Sequence, residues 1–253
     1  MNYFFGINCN IFKSEIQIPK FRNRSLKTSN LKLFKCNPQN NKWIIEEVKE
    51  DLSNKYFYLL KKDDISNKDI FFLADKKILA SFNSSKLEYL NDFTETLPAY
   101  RSNLKIFIEE GGFSSYQSEY PYAMTEKKGS ILSAINSLAD TGADKNFVIF
   151  KNIFVDPIED RFKAYIVNCN SKKIEEEYEL IANYTNLIEI NKKLIKHDNF
   201  LFTKSFLGVP IYVSTKNKFI SCEHTHPPHE YILSNNKFKK IKELKDEINE
   251  IIK

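Results

Sequence analysis

Short apolar runs joined by polar turns dominate this chain, and the pattern predicts β-strands rather than long helices. In NLKIFIEE (103–110) every second side chain is aliphatic, which is the period of a strand with one buried face. The segments KLFKCNPQNNKWIIEEV (32–48) and VPIYVSTKNKFISCEH (209–224) each predict two strands around a turn, because Asn, Pro and Lys interrupt aromatic and β-branched runs. DIFFLADKKILASF repeats this pattern, with a reversal expected at Asp75-Lys76.

The clearest predicted hairpin is RFKAYIVNCNSKKIEEEYELIA (161–182), with its turn at Asn168–Ser171. The second half of this segment also fits a helix, because Ile174, Tyr178 and Ile181 recur at helical spacing. The turn before it and the segment NYTNLIEI after it favour a strand.

Two segments have the apolar period of a helix. GSILSAINSLAD (129–140) places its aliphatic residues on one stripe and ends at Thr141-Gly142, which predicts a central helix. FKKIKELKDEINEIIK (238–253) has one apolar stripe with Lys and Glu opposite, which predicts a C-terminal helix that docks on the sheet.

The expected fold is therefore mainly β, with antiparallel β-sandwich-like sheets and one or two peripheral α-helices. Pro98 interrupts the strand pattern in NDFTETLPAY and marks a boundary. We expect residues 1–95 to form an N-terminal β-rich region, either separate or part of the same domain. Residues 96–253 would form the sandwich-like domain with the C-terminal helix, and the sequence alone reveals no usable internal repeat.

Composition places the chain among globular proteins, since 42% of its 253 residues are hydrophobic and 28% are charged. The net charge of +5 comes without a long basic run, so nucleic-acid binding is not indicated. The chain contains no stretch of 18 apolar residues, so no membrane span is predicted. The four cysteines are far apart, without CxxC spacing, which favours a reducing cytoplasm over a disulfide framework.

Three of the four histidines fall in the segment EHTHPPHE (223–230). If the preceding strand continues, His224 and His226 share one face, close enough for both imidazoles to bind one ion. The two prolines that follow end the strand and stiffen the corner that presents His229 and Glu230.

Imidazoles beside a carboxylate suit a transition metal, and we expect one zinc or iron ion held by His224, His226 and His229. Glu230, or Glu110 at the end of another strand, would then act as the catalytic acid or base. The same strand would also bring Cys222 near His224, and such a neighbour would lower the pKa of the thiol. The alternatives are a metal-free acid/base or ligand site, and a purely structural corner.

The spacing of His224, Thr225, His226 and Glu230 resembles the inner part of the first cupin motif, HxH(x)3E. That family consists of small β-barrels whose His and Glu side chains hold a metal. The flanking glycines of the motif would fall near Lys218 and Lys237, and no second motif follows. The resemblance covers seven residues and assigns no family.

A second candidate segment is IEEGGFSSYQSEYPYAM (108–124), where Gly-Gly permits either an unusual turn or a close approach of another chain segment. Its aromatic, hydroxyl and amide groups suit a small polar molecule, especially a sugar. The predicted substrate-binding residues are Tyr116, Gln117, Tyr120, Tyr122 and, for a carboxylate or phosphate, Arg101.

Together these features predict a cytoplasmic metal-dependent enzyme or metal-binding protein that acts on a small polar, carbohydrate-like ligand. A metal-free binding module and an interaction protein without chemistry remain open as alternatives, and the latter would form a homo-oligomer through its aromatic surface.

Overall fold

The computed structural model of the chain describes residues 2–20, 31–49, 53–79, 82–88, 102–109, 111–224 and 234–253. It confirms a mainly β protein with antiparallel sheets: strand makes up 49% of the described residues and helix 14%, so strands carry the architecture. The strands are β1 (Asn2–Phe4), β2 (Phe12–Pro19), β3 (Leu31–Gln39), β4 (Lys42–Glu47), β5 (Phe57–Leu60), β6 (Ile70–Asp75), β7 (Asn103–Ile108), β8 (Phe113–Gln117), β9 (Glu119–Pro121), β10 (Leu132–Ala134), β11 (Lys145–Lys151), β12 (Arg161–Asn168), β13 (Lys173–Ile181), β14 (Thr185–Ile190), β15 (Asn199–Thr203), β16 (Val209–Lys216) and β17 (Phe219–His224). The described helices are α1 (Lys76–Leu79), α2 (Tyr122–Thr125) and α3 (Lys237–Ile251), with short 3-10 turns at Lys62–Asp64, Ile135–Ser137 and Lys192–Leu194.

The strands form four antiparallel sheets. Sheet I has the order β4-β3-β6-β1-β9, sheet II β5-β2-β7-β8, sheet III β10-β15-β12-β13 and sheet IV β14-β11-β16-β17. The four sheets are arranged as a propeller-like ring of four blades rather than clearly as the predicted sandwich.

The four sheets arise from one topology used twice. Strands β1–β8 build sheets I and II in the same order and pairing in which β10–β17 build sheets III and IV, apart from the additional β9. Matching side chains support this: Asn37 Nδ2 donates to Asp69 Oδ1 at 3.2 Å, and Asn168 Nδ2 donates to Asn199 Oδ1 at 2.7 Å. We call residues 2–117 the first half and residues 132–224 the second half. The sequence analysis did not detect this repeat.

One hydrophobic core joins the two halves. The rings of Phe12 and Phe147 meet edge to face at 5.1 Å, and Trp43 Nε1 donates to the backbone oxygen of Val155 at 2.9 Å. Strands from both sides of residue 95 also pair with each other, β1 with β9 and β2 with β7. A division at residue 95 therefore cuts through sheets I and II.

Most of the predicted strands are present. The hairpins β3–β4, β12–β13 and β16–β17 form, and the ambiguous segment 173–182 is strand β13. Asn40 and Asn41 take positive φ in the first of these turns, a conformation that Asn tolerates well. At Asp75-Lys76 the chain does not reverse into a second strand but enters the single turn α1.

The central helix predicted over residues 129–140 is wrong. Leu132 and Ser133 belong to β10, where they pair with β15, and a 3-10 turn follows. The physical reason is burial on opposite sides: Leu132 packs in the cluster under α3, whereas the hydroxyl of Ser133 lies 2.9 Å from that of Tyr212. A helix would have placed Leu132 and Ile135 on one stripe, whereas Leu132 packs under α3 and Ile135 is buried in the main core. Tertiary contacts therefore override the local period.

The predicted C-terminal helix is confirmed as α3. It buries Ile248 completely against Leu132, Tyr165 and Phe202 of sheet III, with Leu244 packed beside them. Within the described ranges, no helix is both long and apolar enough to cross a membrane.

Candidate ligand site where two edge strands meet

Strands β8 and β17, the edges of sheets II and IV, lie side by side. Gly112 N donates to Lys218 O at 2.9 Å, and the side chains of Ser114 and Cys222 are hydrogen-bonded. From the first of these contacts to the second, the residue numbers increase along both strands, so β8 and β17 run parallel. This junction, which we call the seam, joins the two segments that the sequence analysis singled out.

The turn between β16 and β17 passes close to the backbone of Gly111 and Gly112. A Cβ atom at Gly111 would lie 2.5 Å from Lys218 O and 2.4 Å from Ile108 Cδ1, whereas one at Gly112 would lie 3.5 Å from Lys218 O. Neither glycine has a positive φ. Of the two roles expected for Gly-Gly, close approach is therefore the one that the structure uses.

The strands of the seam direct alternate residues to the core. On β17 Ile220 and Cys222 are partly buried, whereas Phe219, Ser221 and Glu223 are exposed. On β8 the partly buried positions include Ser114 and Tyr116. Ser114 and Cys222 are therefore core-facing positions of the two strands, and Tyr116 follows Ser114 on the same side of β8.

The backbone of His224 is the last in β17 and pairs with Ile211 of β16. The histidine hypothesis assumed a strand that continues to His226, and the described part of the strand reaches His224. His226, His229 and Glu230 lie outside the described residues.

Tyr120 and Tyr122 do not join Tyr116 and Gln117 at the seam. Tyr120 is fully buried in β9, where its hydroxyl donates to Leu207 O at 3.2 Å and burial raises its pKa. The Tyr122 hydroxyl donates to Glu126 Oε1 at 3.0 Å, and burial together with this bond raises its pKa to about 12. Both hydroxyls therefore have structural hydrogen-bond partners away from the seam.

Glu109 lies at the opposite end of the seam from His224. It lines a cleft of about 380 Å³ with Asn217 and Lys218, beside an apolar floor that includes Ile108 and Phe147. Five residues of β17 lie between Lys218 and His224, which corresponds to about 20 Å at the rise of a strand. Glu110 and Arg101, which were predicted as catalytic and substrate-binding residues, lie outside the described residues.

A nucleophilic cysteine at the seam finds no support. Burial raises the pKa of the Cys222 thiol to about 11, and the hydrogen bond with Ser114 acts in the opposite direction. The thiol is therefore protonated at neutral pH, and a protonated thiol is a weak nucleophile.

Across the described part of the chain, no group of three His, Cys, Asp or Glu side chains is close enough to hold a metal. The fourth histidine, His197, is far from the seam in sequence and exposed, with its Nδ1 atom 3.0 Å from Asn136 Nδ2. Any metal site at the end of β17 therefore has to draw on residues 225–233 as well as His224.

Sequence reasoning overlooked Lys151, which is completely buried at the end of β11. Burial lowers its pKa to about 7, while Asp69 and Cys36 act in the opposite direction. Its Nζ atom donates to the backbone oxygens of Asn67 at 3.3 Å and Asp69 at 3.4 Å, so it links the second half to the first. The sequence feature that could have identified it is a single lysine at the end of the apolar run NFVIFK (146–151), because the residues of such a run are expected to be buried.

Comparisons of the chain with protein-family models, with curated proteins and with solved structures find no match. The functional argument therefore depends on the residues of this chain alone.

Proposed function

We propose that this protein binds one transition-metal ion, zinc or iron, at the end of β17 and holds a small polar molecule beside it. The observation that carries the proposal is the seam, where β8, which contains Tyr116 and Gln117, lies beside β17, which reaches His224. His226 and His229 follow His224 within five residues of sequence. Three imidazoles with one open position are the ligand set of many catalytic zinc sites.

The end of β8 supplies groups for the second ligand. Tyr116 and Gln117 contribute a phenol and an amide, the groups that position polar molecules such as sugars. A metal with an open coordination position would polarise an oxygen of this molecule or activate water, with Glu230 or Glu110 as the base. All four cysteines are free thiols, which supports the cytoplasm as the proposed location.

The test is metal-dependent stabilisation of the full chain. Protein dialysed against a chelator should bind one Zn²⁺ per chain by calorimetry, and its melting temperature should rise when zinc is added. At a concentration 100 times the dissociation constant, binding stabilises the folded state by about 2.7 kcal/mol, or roughly 5–10 °C for a chain of this size. His224→Asn should abolish most of the rise.

His197→Asn is the matched control, because it removes an exposed histidine far from the seam in sequence. It should leave the zinc response unchanged. A response to neither zinc, nickel nor iron, or one that His224→Asn leaves intact, contradicts the proposal.

The second candidate is a metal-free binding module, which the phenol and amide at the end of β8 also favour. It predicts saturable binding of a sugar in the presence of a chelator. Binding that Tyr116→Phe weakens and that chelation does not affect would support this alternative over the metal site.

A further inference from the structure

Sheet II buries one face and leaves the other in solvent. Its inward residues, such as Ile16 and Ile106, are completely buried. Strand pairing places Lys13, Phe107 and Phe113 side by side on the opposite face. Among the described residues of β2, β5, β7 and β8, none on that opposite face is buried.

A row of phenylalanines crosses this outer face and continues over the seam. Phe107 and Phe113 lie 5.4 Å apart between ring centroids, and Phe113 is 53% exposed. Phe219 occupies the first outward position of the neighbouring strand β17 and is 78% exposed. We call Phe107, Phe113 and Phe219 the aromatic row. Contiguous exposed rings are typical of binding surfaces, since a large apolar side chain left in water forgoes the stabilisation that burial would give.

Lysines accompany each ring of the row. Lys62 Nζ lies 4.1 Å from the centroid of Phe107, and Lys105 Nζ lies 5.1 Å from that of Phe113. Lys13 is paired across the strands with Phe107, and Lys216 with Phe219.

These lysines carry mostly uncompensated charge. Among the ion pairs of the described residues, none involves Lys13, Lys62, Lys105 or Lys216. The acidic neighbours are Asp63 and Asp64, which follow Lys62 in its 3-10 turn, Glu15 opposite Lys105, Glu109 after β7, and Glu223 farther along β17. The positive charge of this face is therefore local to the lysines that contact the rings, Lys62 and Lys105.

The corresponding face in the second half has a different composition. The two halves can be aligned on their matching 3-10 turns, Lys62–Asp64 and Lys192–Leu194. In this alignment Gln17 and Asn103 of sheet II correspond to Phe147 and Val213 of sheet IV. Phe147 and Val213 are buried, and Phe147 packs against Phe12 of the first half. The outer face of sheet II has polar residues instead, which disfavours burial against another protein surface.

From this combination we infer that the outer face of sheet II binds single-stranded nucleic acid. Aromatic rings stack on exposed bases, and lysines beside them neutralise phosphates. Neighbouring strands are about 4.8 Å apart, so the aromatic row spans roughly 10 Å and accommodates two or three bases. A duplex does not present its base faces, so the single strand is the expected partner. This surface shares no residue with the proposed metal site and does not depend on it.

The test measures fluorescence anisotropy of a labelled 12-nucleotide oligothymidylate and an oligouridylate with the full chain at 50 mM salt. The double variant Phe113→Ala/Phe219→Ala should weaken binding at least about tenfold, since each stacked base contributes substantially. Because both rings are exposed, the variant should keep its melting temperature. Replacing Lys62 and Lys105 with Gln should reduce the slope of log K against log salt by about 0.7 for each lost phosphate contact.

Phe238→Ala is the matched control. Phe238 is also exposed, at 66%, and lies under a lysine, with Lys237 Nζ 5.5 Å from its ring, but it belongs to α3. This variant should bind the oligonucleotides as the parent chain does.

Three results would overturn the inference. The first is no binding of either oligonucleotide at 50 mM salt. The second is equal affinity for duplex and single strand that the Phe113→Ala/Phe219→Ala variant leaves unchanged, because only charge attraction would then operate. The third is a dimer, measured by light scattering, that the same variant dissociates while no oligonucleotide binds, because the face would then be an interface between copies.

Discussion

The two adjacent glycines at the seam offer a sharp test of how the halves are joined. In Gly111→Ala the new methyl group would lie 2.5 Å from Lys218 O, a backbone atom that cannot rotate away. The β7–β8 and β16–β17 turns would have to separate, which costs about 1–3 kcal/mol as overpacking and weakens the bond from Gly112 N to Lys218 O.

In Gly112→Ala the methyl group would meet Lys218 O at 3.5 Å, an ordinary contact, and φ at this position is not positive. Alanine then restricts the unfolded chain and stabilises the fold by about 0.4–1 kcal/mol. The free energies of unfolding of the two variants should therefore differ by at least about 1.5 kcal/mol.

Urea denaturation followed by the fluorescence of Trp43 measures this difference, because Trp43 is the chain's single tryptophan and is almost fully buried. Ordinary surface substitutions change the free energy of unfolding by up to about 0.5 kcal/mol. If the free energies of unfolding of the two variants differ by no more than this, the close approach at Gly111 is refuted. A larger loss in Gly112→Ala would refute it as well.

Other predictions concern burial. Because folding lowers the pKa of Lys151 from 10.5 to about 7, the unfolded state binds more protons between these values, so stability should rise with pH above 7 by up to about 1.4 kcal/mol per unit. Lys151→Met should flatten this rise between pH 7 and 8.5 in urea titrations, and an unchanged slope would argue against the assignment. Ile248→Ala should cost about 2–4 kcal/mol by calorimetry, whereas Phe238→Ala should stay within about 0.5 kcal/mol; equal effects would contradict the docking of α3. Tyr120→Phe should lose about 0.5–1.5 kcal/mol with its bond to Leu207 O, and a neutral effect would count against that bond.

The sequence predicted the strands well because alternation and turn chemistry are local signals. The hairpin β16–β17 and the strand β7 follow directly from the alternation of their residues. The same reasoning failed for Ile131–Ala139, where apolar residues serve two different surfaces and imitate one helical stripe. Local period cannot distinguish these cases, because the difference lies in which distant strands pack on each side.

The repeat is not visible in the sequence, because the two halves share their strand order and strand pairing but not their residue identities. Asp69 and Asn199 have the same role in the two halves, yet their neighbours differ in charge and size. For the candidate site, the strand that carries His224 was predictable. That this strand lies beside β8 was not predictable, because β8 and β17 are about 100 residues apart and meet only through tertiary packing.

The repeated topology has a consequence for how this surface can change over time. The second half must keep Phe147 and Val213 apolar, because both side chains are buried. The first half has no such requirement on its outer face, so the exposed phenylalanines and lysines there can change without loss of folding. Redundancy of architecture thereby separates the part of the chain that maintains the molecule from the part that can acquire a recognition role.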